Sequence, residues 1–277
     1  MNRLDIAVAL GDYSKILGIV LYDGPSLLDG VTRVICVANR LNGSKNAKSP
    51  QPQTWIFPAE QDPRSATKTG TDAAVCGTCP RRPTNAARLF HQWDLSGRVG
   101  PRPPACYVRI DNAPRVVHDA WRRGQYVTAR ARHLGRLGAG RSWRWGAWGD
   151  PAAIPAAIID AVSSGVTGTL TGYTHAWREG FALQRWLMAS ADSLADVALA
   201  ESLGYRAFFA APPGTPRPPR TGTCPAAMES GKLSDCERCG ACDGTRRGLR
   251  GHRMIWNHDA VNAAATKRIL RLPVLQS

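Results

Sequence analysis

The sequence predicts an α/β fold, a partial or irregular (β/α) barrel that carries an N-terminal β-hairpin and cysteine-rich metal-binding loops. Two observations predict it. Strand-like and helix-like runs alternate from residue 142 onward, which is typical of βα units in a parallel sheet or barrel. Seven of the eight cysteines fall into two groups within loop-like sequence rich in Gly, Pro and Arg, which indicates metal binding rather than a disulfide framework.

The first 42 residues are predicted to form the β-hairpin. Two apolar runs, 16–22 and 31–37, flank the turn-forming sequences Asp23-Gly24-Pro25 and Asp29-Gly30. The eighth cysteine, Cys36, lies inside the second run. A free cysteine in such a position behaves as a small apolar residue, so we interpret Cys36 as a core thiol.

A long loop region and an Arg-rich helix are predicted next. Residues 43–105 are rich in Gly, Pro, Ser, Thr and Lys and contain one predicted strand, 54–57. A loop of this length in a compact domain is usually functional, and a metal centre would hold it in place. The helix is predicted over 112–132, where apolar residues recur on one side.

The alternating part of the chain places polar residues after several strands. We predict strands at 142–148, 168–173, 185–189 and 206–210, and helices at 152–163 and 193–203. Active sites of parallel α/β folds lie at the carboxyl ends of the strands. The polar residues at those ends are Asp150, Thr174, His175, Ser190 and Asp192. We predict Asp150, His175 and Asp192 as catalytic residues, although both aspartates also suit plain helix capping.

Composition divides the chain into three predicted segments. Residues 1–42 form the hairpin region, and residues 43–211 hold the first cysteine-containing loop and the (β/α) core. Residues 212–277 begin with a Pro-rich linker at 212–219, continue into a C-terminal metal-cluster segment and include a predicted strand at 254–256.

The charge of the chain favours an anionic partner. Lys and Arg number 36 against 21 Asp and Glu, giving a formal charge of +15 and a pI of about 10.0. Nucleotide or nucleic acid is the expected partner. The alternative is that the many arginines reflect a general enrichment of the sequence in Ala, Arg, Gly and Pro and serve no function. Four arginines after the last cysteine are predicted to bind nucleic acid, with a solvated basic face as the alternative: Arg246, Arg247, Arg250 and Arg253.

No membrane association is expected from the sequence. No stretch reaches the roughly 18 consecutive apolar residues that a transmembrane helix requires. The apolar run near the N-terminus is short and is interrupted by Asp5, so it lacks the pattern of a secretory signal. We therefore expect a cytoplasmic protein.

The C-terminal cysteine group has the spacing of a metal cluster site. Cys236, Cys239 and Cys242 follow each other as C-x2-C-x2-C, and Cys224 precedes them. Three closely spaced cysteines with one distant cysteine are typical of a [4Fe–4S] cluster. Zinc is the alternative, although it usually takes its ligands as two separated pairs.

The other cysteine group has three members, Cys76, Cys79 and Cys106. Three thiolates leave one coordination position open, where a substrate or cofactor could bind. A fourth ligand, His91 or His118, would instead close the site and make it structural.

The order of these motifs resembles cysteine-rich phage-encoded proteins of the gene product 88-like kind. The resemblance covers roughly residues 43 to 258. It is carried by Ser44-Lys45-Asn46-Ala47-Lys48, Cys76-Gly77-Thr78-Cys79-Pro80, Cys106-Tyr107, Gly172-Tyr173-Thr174-His175 and Cys224-Pro225 with the terminal cysteine run. It implies a phage or prophage protein in the cytoplasm of a bacterial host.

The layout is also similar, more remotely, to radical S-adenosylmethionine enzymes. Trp148-Gly149-Asp150-Pro151 resembles the Gly-Gly-Glu-Pro motif that contacts the cofactor's amino group in that superfamily. The resemblance implies two [4Fe–4S] clusters, bound S-adenosylmethionine with Gly149, Asp150 and Ser190 at the cofactor, and a reducing partner such as a flavodoxin or ferredoxin. The superfamily packs its three cysteines as C-x3-C-x2-C, whereas Cys106 lies far from Cys76 and Cys79 in this chain.

Two principal hypotheses follow. The first is an iron–sulfur enzyme that acts on a nucleotide or nucleic acid. The second is a non-enzymatic nucleic-acid-binding protein in which zinc or iron–sulfur centres hold loops in place. A hydrolase that uses Asp150 and His175 is a third and weaker hypothesis, because the sequence shows no clear nucleophile.

Overall fold

Two β-sheets and the helices around them form a mixed α/β structure. The computed structural model describes residues 2–43, 49–84, 106, 108–211, 214–227, 230–231 and 233–256. The strands are β1 (Gly18–Pro25), β2 (Arg33–Asn39), β3 (Gln53–Pro58), β4 (Val127–Thr128), β5 (Trp143–Trp148), β6 (Leu170–Thr171), β7 (Tyr173–Thr174), β8 (Met188–Ala191), β9 (Ala207–Ala211), β10 (Thr221–Thr223) and β11 (His252–Trp256). The helices are α1 (Arg3–Leu10), α2 (Pro63–Thr69), α3 (Ala73–Cys76), α4 (Ala113–Arg122), α5 (Ala131–Leu137), α6 (Ala156–Gly165), α7 (Leu194–Ser202) and α8 (Cys236–Cys239).

The first sheet has six strands in the order β4-β1-β2-β3-β5-β6. Strands β1 and β2 pair antiparallel in a register that runs from Gly18 opposite Asn39 to Pro25 opposite Arg33. Strand β2 also pairs antiparallel with β3, while β3, β5 and β6 run parallel. The N-terminal strands therefore belong to the same sheet as the central part of the chain.

The second sheet has five parallel strands in the order β10-β11-β9-β8-β7. Strands β6 and β7 are separated by Gly172 alone, so one extended segment passes from the first sheet to the second. A Cβ at Gly172 would lie 2.4 Å from Cδ2 of Leu187 and 2.9 Å from Cβ of Trp145. Only glycine fits this crossing without displacing its neighbours.

The structure confirms several predicted elements and corrects others. Strands β3, β5, β9 and β11 and helix α7 lie where the sequence predicts them. The prediction of one helix over 112–132 is wrong, because Gly124 takes a positive φ of 67° and 127–128 pairs with β1. The predicted strand at 185–189 begins only at Met188, because Trp186 and Leu187 donate backbone hydrogen bonds to Leu183 in a turn.

Short helices replace much of the predicted loop region. Helices α2 and α3 lie between β3 and Cys79, and α1 precedes the first strand. Asn2 and Asp5 form a capping box on α1, and Asp62 caps α2 with a proline in its first turn. Helix α6 begins at Ala156 rather than at 152, because a 3-10 turn occupies Pro151–Ala153 before Pro155.

Most tryptophans lie in the core and not on a stacking surface. The six that are at most 8% exposed are Trp55, Trp143, Trp145, Trp148, Trp177 and Trp186. Four of these indoles donate hydrogen bonds internally, as with Trp145, which donates to the Ser163 hydroxyl at 2.9 Å, and Trp177, which donates to the Ser190 carbonyl at 2.9 Å. These side chains therefore stabilise the sheets and form no exposed stacking surface.

Helices α5 and α6 approach each other at glycines. A Cβ at Gly165 would lie 1.8 Å from the Gly135 carbonyl oxygen, so this close approach requires glycine at 165. A Cβ at Gly135 would meet only the Ala161 oxygen, at 3.6 Å, which is an ordinary contact. A Cβ is therefore accommodated at position 135 but not at position 165.

We predict that Gly165→Ala destabilises the protein while Gly135→Ala does not. The first substitution forces the two backbones apart and should lower the free energy of unfolding by about 2 kcal/mol or more, as overpacking does. The second adds a better helix former and should be neutral or stabilising by up to about 1 kcal/mol. Urea unfolding of both variants measures this difference, and equal stabilities would contradict the close approach.

His118 lies in the core beside aromatic rings. Its ring is 5.2 Å from that of Phe57 and 5.9 Å from that of Trp121, centroid to centroid. Burial lowers the pKa of His118 below its ordinary value, and the nearby Asp119 carboxylate opposes this shift only in part. The folded protein therefore holds His118 neutral at a pH where the unfolded chain already binds a proton.

We predict a loss of stability as the pH falls through the ordinary histidine pKa of about 6.5. At His118 the unfolded state binds more protons than the folded state in this range, so this residue makes the free energy of unfolding fall with acidification. His118→Gln should flatten this dependence when unfolding is measured from pH 7.5 down to pH 5. An unchanged slope in the variant would contradict the assignment to His118.

Candidate functional site

A cavity of about 460 Å³ lies against residues of both sheets. Most of the strand residues that line it alternate along their strands, as expected when one face of a sheet borders a cavity, and Ala147 and Ala191 line it as well. The strand residues involved are Gln53, Trp55, Arg144, Gly146, Ala147, Trp148, Thr171, Tyr173, Ser190, Ala191, Phe208, Ala210 and Ile255. Its volume lies in the range of small-molecule sites in proteins.

Three cysteines line this cavity and form what we call the first cysteine group: Cys76, Cys79 and Cys106. Cys76 ends helix α3, and Gly77 turns the chain with a φ of 53° towards Cys79. The Cys106 backbone N–H donates to the Arg81 carbonyl at 2.7 Å. This one hydrogen bond brings a residue distant in sequence beside the C-x2-C turn.

Burial and mutual proximity change the acidity of these thiols. Burial raises the pKa of Cys76 well above its ordinary value, and the nearby Asp72, Cys79 and Cys106 raise it further. Burial likewise raises the pKa of Cys106 to about 12. Arg82 lies close to this group and pairs with Asp72 through two hydrogen bonds, of 2.8 and 3.2 Å. A bound cation or cationic cluster would reverse the pKa shifts and deprotonate the thiols.

The second cysteine group consists of Cys224, Cys236, Cys239 and Cys242. Cys224 follows β10, and Cys236 and Cys239 are the first and last residues of α8. Burial raises the pKa of Cys242 to about 12, and the proximity of the other three thiols adds to the increase. The four predicted ligands therefore come together, and Cys236 also lines the cavity.

A buried ion pair holds the loop of the second group. The Arg206 guanidinium donates to Oδ1 of Asp243 at 3.0 Å, and their side chains are 1% and 0% exposed. Arg206 also donates to the carbonyls of Ala241 at 2.8 Å and Gly251 at 2.9 Å. The loop thus wraps around one guanidinium. A single charge at the start of an apolar strand is the sequence signal that could have identified Arg206.

The four arginines predicted to bind nucleic acid lie around the same loop. Arg246 donates to the carbonyls of Val166 and Gly168, the latter at 3.1 Å. Arg250 donates to Asp243 at 2.7 Å, and Arg247 lies 3.5 Å from the same carboxylate. Arg253 belongs to β11 and packs over Gly222. These contacts anchor the loop, and nucleic-acid binding by these side chains stays a prediction.

Asp150 positions backbone at the cavity. Its Oδ1 accepts from the Ala152 N–H at 2.9 Å, and its Oδ2 accepts from the His175 N–H at 2.6 Å. Burial raises the pKa of Asp150, and these hydrogen bonds oppose the shift. Asp150 therefore caps the 3-10 turn and also joins the ends of β5 and β7. The preceding Gly149 has a φ of 82°, and a Cβ there would lie 2.6 Å from the Ile56 carbonyl oxygen.

His175, Asp192 and Arg81 form a charged chain that ends at Cys79. Nε2 of His175 lies 3.3 Å from Oδ2 of Asp192 and 3.8 Å from Sγ of Cys79. Arg81 donates to Oδ1 of Asp192 at 3.0 Å. Burial alone would lower the pKa of His175, but the negative charges of Cys79 and Asp192 outweigh it and raise the pKa to about 10. The His175 ring therefore lies between the Asp192 carboxylate and the sulfur of Cys79.

The structure brings together four of the five polar strand-end residues predicted from the sequence. Asp150, His175, Ser190 and Asp192 line the same cavity, as does the predicted cofactor residue Gly149, whereas Thr174 is buried and does not line it. Sequence reasoning missed Arg81, although it directly follows Cys79-Pro80. It also did not identify Tyr173 and Arg144 as residues that line the cavity. The available signal was that each is separated by one residue from another cavity-lining residue of the same segment.

One of the two predicted fourth ligands of the first group, His118, lies away from it. His91 lies outside the described residues, as does the Ser44–Lys48 motif. His118 packs between Phe57 and Trp121 and does not line the cavity. The imidazole near this group is that of His175.

The described thiols are close neighbours, but they do not surround a single ion. Among the described residues, no three His, Cys, Asp or Glu side chains converge on a point where one metal ion could bind. A tetrahedral zinc site needs sulfurs only about 3.8 Å apart, from a zinc–sulfur distance near 2.3 Å. In a four-iron cluster each thiolate binds a different iron, so the sulfurs stand farther apart. None of the eight cysteines, all of which lie in the described part of the chain, forms a disulfide.

Comparison with known proteins adds no identification. Neither the protein-family models, nor the curated proteins, nor the solved structures compared with the chain gave a match. Within the described part of the chain, none of the helices combines the length and the apolar character needed to cross a membrane. Function must therefore be argued from the site itself.

We predict that Asp243→Asn strongly destabilises the protein. The substitution leaves the buried Arg206 guanidinium without its counter-charge, which should lower the free energy of unfolding by about 3–5 kcal/mol. Asp23→Asn is the matched control, because Asp23 pairs with Arg33 at 2.7 Å but both side chains are 40% or more exposed. Its cost should stay below about 1 kcal/mol. Denaturant unfolding measures both, and similar costs would contradict the role assigned to Asp243.

Proposed function

We propose that the chain is an iron–sulfur enzyme of radical S-adenosylmethionine-like architecture that acts on a nucleotide or nucleic acid. In this proposal both sheets form a partial (β/α) barrel around the cavity. The first cysteine group holds a [4Fe–4S] cluster with one iron open to the cavity. The second group holds an auxiliary [4Fe–4S] cluster.

One observation carries the proposal: the same cavity is lined by all three cysteines of the first group and by Cys236 of the second. A scaffold that only holds loops in place needs no concave space beside its ligands. An enzyme needs that space, because a substrate must reach the open position. The strand-end residues Asp150, His175 and Asp192 border the same space.

The donor set suits iron–sulfur chemistry better than zinc. Each group offers thiols as the close neighbours, and the described side chains form no compact site for a single ion. When bound, a three-cysteine cluster supplies an electron and an open position where S-adenosylmethionine can be chelated and cleaved. The chain's own contribution is to exclude water and place charge around that position.

The surrounding residues have distinct proposed roles. Asp150 holds the backbone at His175, and Gly149 lets the chain approach Ile56 closely, so both shape the cofactor-binding end of the cavity. Asp192 is oriented by Arg81 and holds the ring of His175. Ser190 completes this wall beside the cofactor.

The cavity also supports a nucleotide-like substrate. A volume of about 460 Å³ admits a nucleoside-sized group but no duplex. Arg109 and Arg144 both line it and can pair with phosphate. A polynucleotide would have to turn a single base into the cavity. A flavodoxin or ferredoxin would supply the reducing electron.

The second candidate is a non-enzymatic nucleic-acid-binding protein, which the net charge of +15 favours. Such a protein should bind nucleic acid with a steep salt dependence whether or not the first cysteine group is intact. Two results together would favour this candidate. The Cys106→Ala variant would still bind nucleic acid, and the unmodified protein would show no redox activity.

We predict about eight irons and eight sulfides per chain after anaerobic purification, with absorption near about 400 nm, as two four-iron clusters require. Replacing both Cys76 and Cys79 by Ala should halve these values, and S-adenosylmethionine should perturb the spectrum of the unmodified protein but not of this variant. Metal and sulfide analysis with visible and electron paramagnetic resonance spectra measures this.

Cys36→Ala is the matched control, because Cys36 is a buried thiol in β2 and belongs to neither group. It should retain the full iron content. About two zincs in a colourless protein would overturn the proposal and leave the binding protein as the better assignment.

A further inference from the structure

The segment at 173–175 lies between the two cysteine groups. Tyr173 belongs to β7, and His175 follows the end of this strand with helical backbone dihedral angles, φ −90° and ψ −19°. Both side chains line the cavity. Each of them contacts a cysteine of a different group.

Tyr173 contacts the second group. Its phenol donates a hydrogen bond to the Cys242 thiol, and Cys236 lies nearby. The ring of Phe208 fixes the orientation of Tyr173, with ring centroids 4.9 Å apart. Tyr173 therefore lies beside Cys236 at the cavity wall and contacts Cys242 of the same group.

His175 contacts the first group. Its Nε2 has two neighbours, Sγ of Cys79 at 3.8 Å and Oδ2 of Asp192 at 3.3 Å. The carboxylate of Asp192 can only accept a hydrogen bond, so the ring tautomer that suits this position carries its proton on Nε2, which also faces the Cys79 sulfur. The His175 N–H is bound to Asp150 at 2.6 Å, which fixes the backbone at this point.

We propose that Tyr173 and His175 are positioning residues that set the reduction potentials of the two clusters, Tyr173 through Cys242 and His175 through Cys79. The inference rests on the proposed function, since it requires clusters at both cysteine groups. A hydrogen bond to a cysteine sulfur stabilises the more negative, reduced cluster and so raises its potential. Because Tyr173 and His175 both face the cavity, a ligand bound there would contact both side chains.

The test measures the potential of each cluster alone. The Cys76→Ala/Cys79→Ala variant keeps only the second cluster, and Tyr173→Phe in this background should shift its potential to a more negative value. Tyr22→Phe is the matched control, because the Tyr22 hydroxyl bonds to the Pro25 carbonyl in β1 and is distant in sequence from either group. It should leave the potential unchanged.

The reciprocal experiment uses Cys224→Ala/Cys236→Ala, which keeps only the first cluster. His175→Leu should shift its potential to a more negative value, and His175→Gln, which retains an N–H donor, should restore part of the shift. His133→Gln is the control, since His133 pairs with Asp5. If a double cysteine variant fails to fold, both potentials are read in the otherwise unmodified chain from their separate resonance signals.

The outcomes distinguish the two proposals. A protein without iron overturns the proposed function itself. A protein with both clusters whose potentials do not move in Tyr173→Phe and His175→Leu overturns only this inference. Shifts of both clusters by either single substitution also overturn it, because they would indicate a general loosening rather than one hydrogen bond for each cluster.

Discussion

The passage of the chain at Gly172 is the constraint on which the candidate site depends. A side chain there would collide with Leu187 and Trp145, so the backbone can cross from one sheet to the other only as glycine. The crossing continues directly into Tyr173 and His175, which therefore enter the cavity at fixed positions. The Gly172 N–H also donates to the Cys242 carbonyl at 3.3 Å, which ties the second cysteine group to this crossing. One backbone position thus locates both sides of the cavity.

Buried arginine–aspartate pairs complete the placement of the loops. Burying two opposite charges is costly, and such a pair seldom adds much net stability. The pairs of Arg206 with Asp243 and of Arg81 with Asp192 instead hold parts of the site in position. The first holds the loop that carries Cys242, and the second orients the carboxylate that holds His175. A loop without regular secondary structure needs such fixed points, because few apolar contacts hold it.

Local sequence was sufficient to predict the residues at strand ends. Alternation of apolar runs placed Asp150, His175 and Asp192 after parallel strands, and the shared direction of those strands then brings such residues together. Helix α1 was missed because its first turn is defined by the Asn2–Asp5 capping box rather than by a long apolar period. The strand at 127–128 was read as helix because its pairing with β1 is a long-range contact.

Tertiary contacts decide the features that the sequence left open. Nothing local to Cys106 indicates that its N–H bonds to the carbonyl of Arg81, yet this bond completes the first cysteine group. Likewise, Arg246 and Arg250 have the composition of a basic surface, and only the folded loop shows that they donate to carbonyls and to Asp243. Charge counts therefore overestimate the basic surface that such a chain offers to a polyanion.

The shared cavity separates an enzyme from a metal-stabilised scaffold more clearly than the cysteine spacing does. Spacing alone describes two independent sites, each of which could be structural. The geometry shows instead that Cys79 and Cys236 border one space, with Tyr173 and His175 between the groups. Two centres that only stabilised loops would have no reason to face a common cavity through hydrogen-bonded side chains. This arrangement supports the proposal that both groups act on one bound ligand.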